Sequence, residues 1–290
     1  MIELVGNTPL VELKVLNQNP NVTIYGKLEG QNPGGSVKDR AALNMITKAV
    51  ERGELTGNKQ IIEATSGNTG IALAMIASIK GIPITLLMPE SATEERKASM
   101  RAYGATLILT DGDKGIEYSR KVAEEMALKE EYVLLDQFGN TDNPDAHYKT
   151  TGPEIWRDTN KSITHFVSSM GTTGTIMGTS RFLKEQNPDI QIVGVQPQEG
   201  SRIPGIRKWS EAMVPTICDF SRVDNIRYVN VEQAKSMTRA LAKKEGIMAG
   251  MSSGGSATIA LQLAEEIDSG VIVCIICDRG DRYLSSGLFE

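Results

Sequence analysis

Gln60-Ile61-Ile62-Glu63-Ala64-Thr65-Ser66-Gly67-Asn68-Thr69-Gly70 runs from a short apolar strand pattern through a small polar loop into a helical pattern. The spacing predicts strand 60–64, helix 69–80 and strand 84–88, and the unit then recurs as helix 93–103, strand 106–109, helix 115–129 and strand 132–135. Upstream, residues 23–29 alternate like a half-buried strand, and Ala41, Ala42, Met45, Ile46, Ala49 and Val50 keep helical spacing over 37–52. Beyond a polar stretch at 139–144, a helix ends near Arg157, and strand 163–168, helix 175–185 and strand 190–195 follow. An irregular stretch over 196–223 precedes strand 226–229, helices 232–245 and 256–267, and strand 271–276. Short apolar strands alternating with amphipathic helices need cover on both faces, which is the signature of an α/β fold with parallel sheets. Two such sheets fit 290 residues, with the boundary in the 139–144 stretch. No fixed-period repeat and no low-complexity tract interrupts the pattern.

Composition narrows the partners. The net charge is −5, with no basic stripe interleaved with aromatics, so the chain lacks the footprint of a nucleic-acid binder. The most apolar region, 70–88, is broken by Ser78, Lys80, Gly81 and Pro83 and reads as a buried helix and strand, not a membrane span. Met1-Ile2-Glu3-Leu4 lacks the basic start of a signal peptide, and three cysteines, an odd number, suit a reducing compartment. The expected location is the cytoplasm.

Three stretches carry chemistry. Asn32-Pro33-Gly34-Gly35-Ser36-Val37-Lys38-Asp39-Arg40 is a turn followed by a helix start, with Ser36 and Asp39 at capping-box spacing. That spacing places Lys38 near the positive end of the helix dipole, with Arg40 adding repulsion, and both push its amine toward the neutral, nucleophilic form. A lysine so placed can hold a carbonyl cofactor as a Schiff base; the same residues also fit a plain surface lysine in a first turn. Thr65 to Gly70 lies between a strand and a helix, where ligands of open parallel sheets bind, and offers hydroxyls, an amide and backbone N–H groups to a small anion such as a carboxylate. Gly171-Thr172-Thr173-Gly174-Thr175 holds the equivalent place after strand 163–168, and its glycines and hydroxyls suit a phosphate. Either loop alone is also what an ordinary strand-to-helix connection looks like. Together with the lysine they predict one pocket for a phosphate-bearing cofactor and a carboxylate substrate.

Other motifs fall away. Neither loop has the Gly-Lys-Ser/Thr ending of a nucleotide P-loop, and Gly171, Gly174 and Gly178 have the wrong spacing for a dinucleotide fingerprint. Gly250-Met251-Ser252-Ser253-Gly254 matches a hydrolase nucleophile elbow, but His147 and His165 both precede the serine, against that fold's order. Cys274 and Cys277 lie three apart in a strand pattern, so their thiols point to opposite faces, and no redox or metal role is expected.

The order of the lysine turn, the Thr65 loop, the Gly171 loop, Ser252-Ser253-Gly254-Gly255 and Asp278-Arg279-Gly280-Asp281-Arg282-Tyr283-Leu284-Ser285 resembles the cysteine synthase family of fold type II enzymes dependent on pyridoxal 5′-phosphate (PLP). The resemblance covers essentially the whole chain, from Gly6-Asn7-Thr8-Pro9-Leu10 onward. Glu63-Ala64, the Gly-Thr-Thr-Gly-Thr loop, Ile203-Pro204-Gly205-Ile206-Arg207-Lys208-Trp209 and the short C-terminus are similar to the family's B type, with Lys208 standing where a second arginine is expected. The resemblance implies residue roles. Lys38 would bind PLP covalently, Asn68 would bond the ring hydroxyl, Gly171, Thr172, Thr173, Gly174 and Thr175 would hold the phosphate, and Ser252 would face the ring nitrogen. Thr65, Ser66, Thr69 and Gln137 would take the substrate carboxylate. It implies a smaller, mobile domain over 35–143, a larger one from 1–34 plus 144–290 and a cofactor cleft between them, in a homodimer. The implied reaction is β-replacement, making cysteine from O-acetylserine and sulfide. Arg207 is expected to grip thiosulfate as a second donor. A serine/threonine dehydratase or cystathionine β-synthase of the same fold and a non-catalytic carboxylate binder are the rival readings.

Overall fold

The computed structural model describes residues 1–210 and 213–290. Two sheets carry the chain. Strands β1 (Leu10–Glu12) and β2 (Val22–Leu28) open the larger one, and helix α1 (Lys38–Glu51) leads to the smaller. The smaller sheet alternates β3 (Gln60–Ala64), α2 (Asn68–Lys80), β4 (Ile84–Pro89), α3 (Glu94–Ala102), β5 (Thr106–Thr110), α4 (Gly115–Met126) and β6 (Tyr132–Leu134). Helices α5 (Asp142–Lys149) and α6 (Thr151–Asp158) lead back to β7 (His165–Ser169), α7 (Gly174–Gln186), β8 (Gln191–Pro197), β9 (Asn225–Val229), α8 (Val231–Ala240), α9 (Met251–Glu266) and β10 (Gly270–Ile276). The strand orders are β1-β2-β10-β7-β8-β9 and β5-β4-β3-β6. Among the described residues these strands all pair in parallel except β1 with β2.

Burial follows the patterns that built these elements. All of β4 is buried, as its unbroken Ile84-Thr85-Leu86-Leu87-Met88 run requires of a strand covered on both faces. Helix α1 buries Ala41, Ala42, Met45, Ile46 and Ala49 on one face, and α2, apolar all round, is buried from Thr69 to Ala77. These two helices and β3–β4 form one core. The larger sheet has a core on each face, one against α8–α9 and one against α6–α7. Among the described residues no helix is long and apolar enough to cross a membrane.

Four local expectations are corrected. β1 was not expected; its short run is recruited by antiparallel pairing with the open edge of β2. The 139–144 stretch already contains the start of α5, and the helix ending near Arg157 is two helices that meet at Thr150 (φ −127°). The 232–245 helix ends at Ala240, and Leu241–Glu245 continues as a π turn closed by Gly246 in the left-handed region. Helix α9 begins at Met251, five residues before the expected 256, so Ser252, Ser253, Gly254 and Gly255 form its first turns. Glycine and serine are poor helix formers, but close packing on α8 overrides propensity here: a methyl group on Gly254 would collide with the Ala234 carbonyl.

Candidate active site

The carboxyl ends of parallel strands deliver the site, as expected for open α/β sheets. The lysine turn follows β2, the Thr65 loop β3, Gln137 β6, the Gly171 loop β7, Pro204 and Gly205 β8, and Cys277 and Asp278 β10. A cavity of about 270 Å³ between the sheets is lined by Lys38, Thr65, Ser66, Asn68, Thr69 and Gln137, and also by Phe138, Gly171, Thr172, Arg96, Arg207 and Tyr283. A smaller pocket of about 40 Å³ shares Lys38, Asn68, Gly171 and Thr172 with it and adds Thr173, Thr175, Ser252 and Cys277. Of the residues read from the sequence as site candidates, only Gly174 lines neither space; it is the first residue of α7, with its N–H toward Thr172 Oγ1 at 3.4 Å.

Lys38 is the first residue of α1, but the expected capping box does not form. The Asp39 carboxylate turns back to the Gly34 N–H (2.5 Å), and Ser36 Oγ accepts from the Lys38 N–H at 3.3 Å. The expected repulsion from Arg40 is also absent. The Arg40 guanidinium donates two hydrogen bonds to Glu29 (2.7 and 2.8 Å) and two to Glu154 (2.7 and 2.8 Å), all in the interior. Burial is what lowers the proton affinity of Lys38, and the neighbouring Asp278 side chain draws it partly back up. Burial, reinforced by Asp278, pushes the Cys277 thiol up to about 12, so it is protonated.

The two loops present donors. Thr69 Oγ1 donates to Gln137 Oε1 at 2.8 Å, which leaves the Gln137 amide NH₂ free for an incoming acceptor. Thr173 sits in the left-handed region (φ 74°), curling the Gly171 loop ahead of α7, and its buried Oγ1 finds no nitrogen or oxygen partner among the described residues. A curled loop at a helix N-terminus with an unpartnered hydroxyl fits an anion. Behind it His147, 1% exposed, lies 3.3 Å from Thr175 Oγ1 and 2.9 Å from Thr151 Oγ1. Burial first, then the Arg40 charge, holds this imidazole at about 3, so it is neutral. Gly205 (φ 86°) approaches Ser252 closely, and a methyl group on it would stand 3.2 Å from Ser252 Oγ.

Arg207 lies at the rim, where the cavity meets an open groove of about 770 Å³ formed mainly by the 197–210 stretch. Its guanidinium rests over Phe138 and Trp209 (5.6 and 5.1 Å) and meets Glu117 at 3.2 Å, while Lys208 points to Tyr228. Arg96, Phe138 and Tyr283 line the cavity and His147 backs the Gly171 loop, positions that the sequence pattern does not point to. Arg96 looks like any solvent-facing charge on an amphipathic helix, and His147 drew notice only as a possible hydrolase partner.

A half-buried lysine between a loop of donors suited to a carboxylate and a curled loop suited to a phosphate is compatible with a PLP-type site, and the chain belongs to the pyridoxal-phosphate dependent enzyme family, whose pattern it matches over residues 1–278. Cysteine synthase B of Pseudomonas aeruginosa is 57% identical over 99% of this chain and 96% of its own length. Cysteine synthase B of Escherichia coli is 55% identical over 99% and 95%. The crystal structure of cysteine synthase from Entamoeba histolytica superposes with a TM-score of 0.94 at 38% identity, covering 99% of this chain and 89% of that one. The residues above fit the cofactor that the family uses: a reachable amine, a curled loop with a free hydroxyl, and two neutral side chains, Ser252 and Cys277, beside them.

Proposed function

We propose that this chain is a PLP-dependent transferase that makes L-cysteine from O-acetyl-L-serine and sulfide by replacement at Cβ. The observation that carries the reading is the place of Lys38, shared by the cavity and the pocket between the two anion loops. Lys38 would carry the cofactor, with Gly171 to Thr175 on its phosphate, Asn68 on its ring hydroxyl and Ser252 at its ring nitrogen. Bound there, PLP withdraws electrons from the substrate's Cα and Cβ, which acidifies the Cα–H and eases departure of the Cβ substituent. Thr65, Ser66 and Thr69 with the free Gln137 amide bind the substrate carboxylate at the start of α2. Lys38, kept weakly basic by burial, takes the Cα proton. Acetate leaves Cβ and sulfide takes its place. Residues 35–143 act as the smaller, mobile domain, closing on the larger, 1–34 plus 144–290, to shield this exchange from water. The enzyme works in the cytoplasm as a homodimer, and elution at twice the chain mass in size-exclusion chromatography tests the assembly.

Product analysis separates this reading from its rivals. Cysteine and acetate should form one-for-one from O-acetylserine and sulfide. Accumulation of pyruvate or 2-oxobutyrate would instead indicate a dehydratase, and preferential formation of cystathionine from homocysteine a cystathionine β-synthase. The crystal structure of an O-acetylserine dependent cystathionine beta-synthase from Helicobacter pylori is 37% identical with a TM-score of 0.90, so that assay is needed.

Ser252→Ala should slow departure of acetate while PLP stays bound, since the phosphate loop supplies most of the anchoring. Ser252→Asp should favour a protonated ring and raise transamination, read as pyridoxamine phosphate by chromatography. Unchanged rates and products in both variants would remove Ser252 from the ring.

Arg207 would serve a second donor. Thiosulfate carries a sulfonate-like end that a guanidinium grips with two hydrogen bonds, and sulfide does not. The contact of Arg207 with Glu117 is half-exposed and weak enough to exchange for such an anion. Arg207→Ala should cut thiosulfate turnover to S-sulfocysteine by about one to two powers of ten, from loss of a charge-assisted contact, with a much smaller effect on sulfide. Steady-state rates with both donors check this; equal losses would contradict it.

A further inference from the structure

The chain's last turns lie along the lysine turn and the start of α2. The Val37 N–H donates to the Cys277 carbonyl at 2.8 Å, Ser36 pairs with Asp278 as an isolated bridge, and the Arg279 N–H meets the Gly35 carbonyl at 3.3 Å. Gly35 is in the left-handed region (φ 81°), and a methyl group there would run into the Arg282 guanidinium. That guanidinium donates to the Gly34 carbonyl in the lysine turn and to Asn68 Oδ1 at the start of α2. The Asn68 amide nitrogen in turn donates to Asp278 Oδ2 at 2.7 Å, an oxygen that also accepts from the Tyr283 hydroxyl at 2.6 Å. Asp278 is 1% exposed.

These contacts decide which end of Asn68 a ligand meets. An asparagine amide has one acceptor oxygen and two N–H donors. A cation occupies the oxygen and a carboxylate takes one N–H, so turning the amide over would set NH₂ against guanidinium and oxygen against carboxylate. The hydrogen-bonding capacity left on the nitrogen is a single donor, and Asn68 lines both the cavity and the pocket. We propose that Arg282 and Asp278 are a positioning pair that locks the Asn68 amide with its free N–H toward the cavity, so that the bound cofactor always meets a donor there. Neither residue needs to touch the reacting atoms. The inference rests on the reading of Asn68 as the partner of the ring hydroxyl, and it adds that the C-terminal segment sets that partner's polarity.

A double-mutant cycle on the holoenzyme tests it. Arg282→Met, Asn68→Ala and the pair are compared by the PLP release rate and by the position and pH dependence of the visible absorption band, readouts that a merely structural role would not couple to Asn68. Arg282→Met alone should speed release about tenfold, the loss expected when a charge-assisted contact no longer orients its acceptor. In the Asn68→Ala background the same change should add less than about twofold. Arg282→Lys, which keeps a cationic donor, should recover part of the loss. If Arg282→Met fails to fold, Asp278→Asn, of nearly the same size, runs the same cycle. Equal factors in both backgrounds would overturn the positioning role while leaving Asn68 at the cofactor. An Asn68→Ala variant with unchanged band and release rate would instead overturn the reading of Asn68, and the positioning role with it.

Discussion

Lys38→Ala should lose the visible absorbance of the bound cofactor and nearly all turnover, and it should keep its fold. Among the described residues the amine is the only basic group that both the cavity and the pocket share, and it would serve twice, as the cofactor's covalent attachment and as the acceptor of the Cα proton. Removing a group that acts in both roles costs many powers of ten. The fold should survive because Lys38 is only half-buried, its side chain holds no other described residue in place, and truncation removes an unfavourable desolvation of the amine. Circular dichroism and the absorption spectrum of the purified variant, with an activity assay, check all three parts. A coloured, active variant would move the attachment to another lysine such as Lys149, which is exposed and paired with Asp145.

Arg40→Met should be the most destabilising single change at the site's foundation. Its guanidinium joins Glu29, which leads out of β2, to Glu154 on α6, with Thr8, Asn32 and Lys27 completing the buried network. Breaking a buried charge network from one side leaves carboxylates without their partner and costs about 3–5 kcal/mol. For a chain of this size that is roughly a 10 °C fall in Tm. Acid behaviour gives a second readout. Burial raises the proton affinity of Glu154, but the hydrogen bonds and charges of Arg40 and Lys27 outweigh it and hold the carboxyl at about 2. Its folded-state value is depressed, so its contribution is complete above the ordinary carboxylate value and is lost as pH falls toward about 2. The variant should lose much of that slope. Thermal melts between pH 2 and 7 check both effects, and an unchanged Tm would mean that the network is neutral for folding.

The α/β class and the placing of both loops are legible in the sequence because β3, β4, β7 and β10 are apolar runs too short for helices, each followed by a small polar loop. The three residues of β1 hold too little pattern to show periodicity; its pairing with β2 depends on an edge supplied by the fold. The start of α9 is hidden because Gly254 and Gly255 argue against helix locally, and only contact with α8 reverses that. Local sequence shows where Lys38 stands but not what surrounds it. Ser36 and Asp39 have capping-box spacing, but the Gly34 N–H competes for Asp39. Arg40 looks repulsive until Glu154, distant in sequence, is brought beside it. Asp278 and Arg282 stood in a noticed motif without a role, since nothing local shows that they reach Asn68. Side chains whose work depends on long-range partners are the ones that pattern reading misses.

Every role proposed for the site depends on one covalent attachment, that of PLP to Lys38. Borohydride reduction of the PLP-loaded enzyme converts a Schiff base into a stable amine, and peptide mapping by mass spectrometry then finds the modified lysine. The added pyridoxyl phosphate mass should sit on Lys38 alone and disappear when O-acetylserine is added before the reductant. The same mass on any other lysine, or on none, would contradict the account.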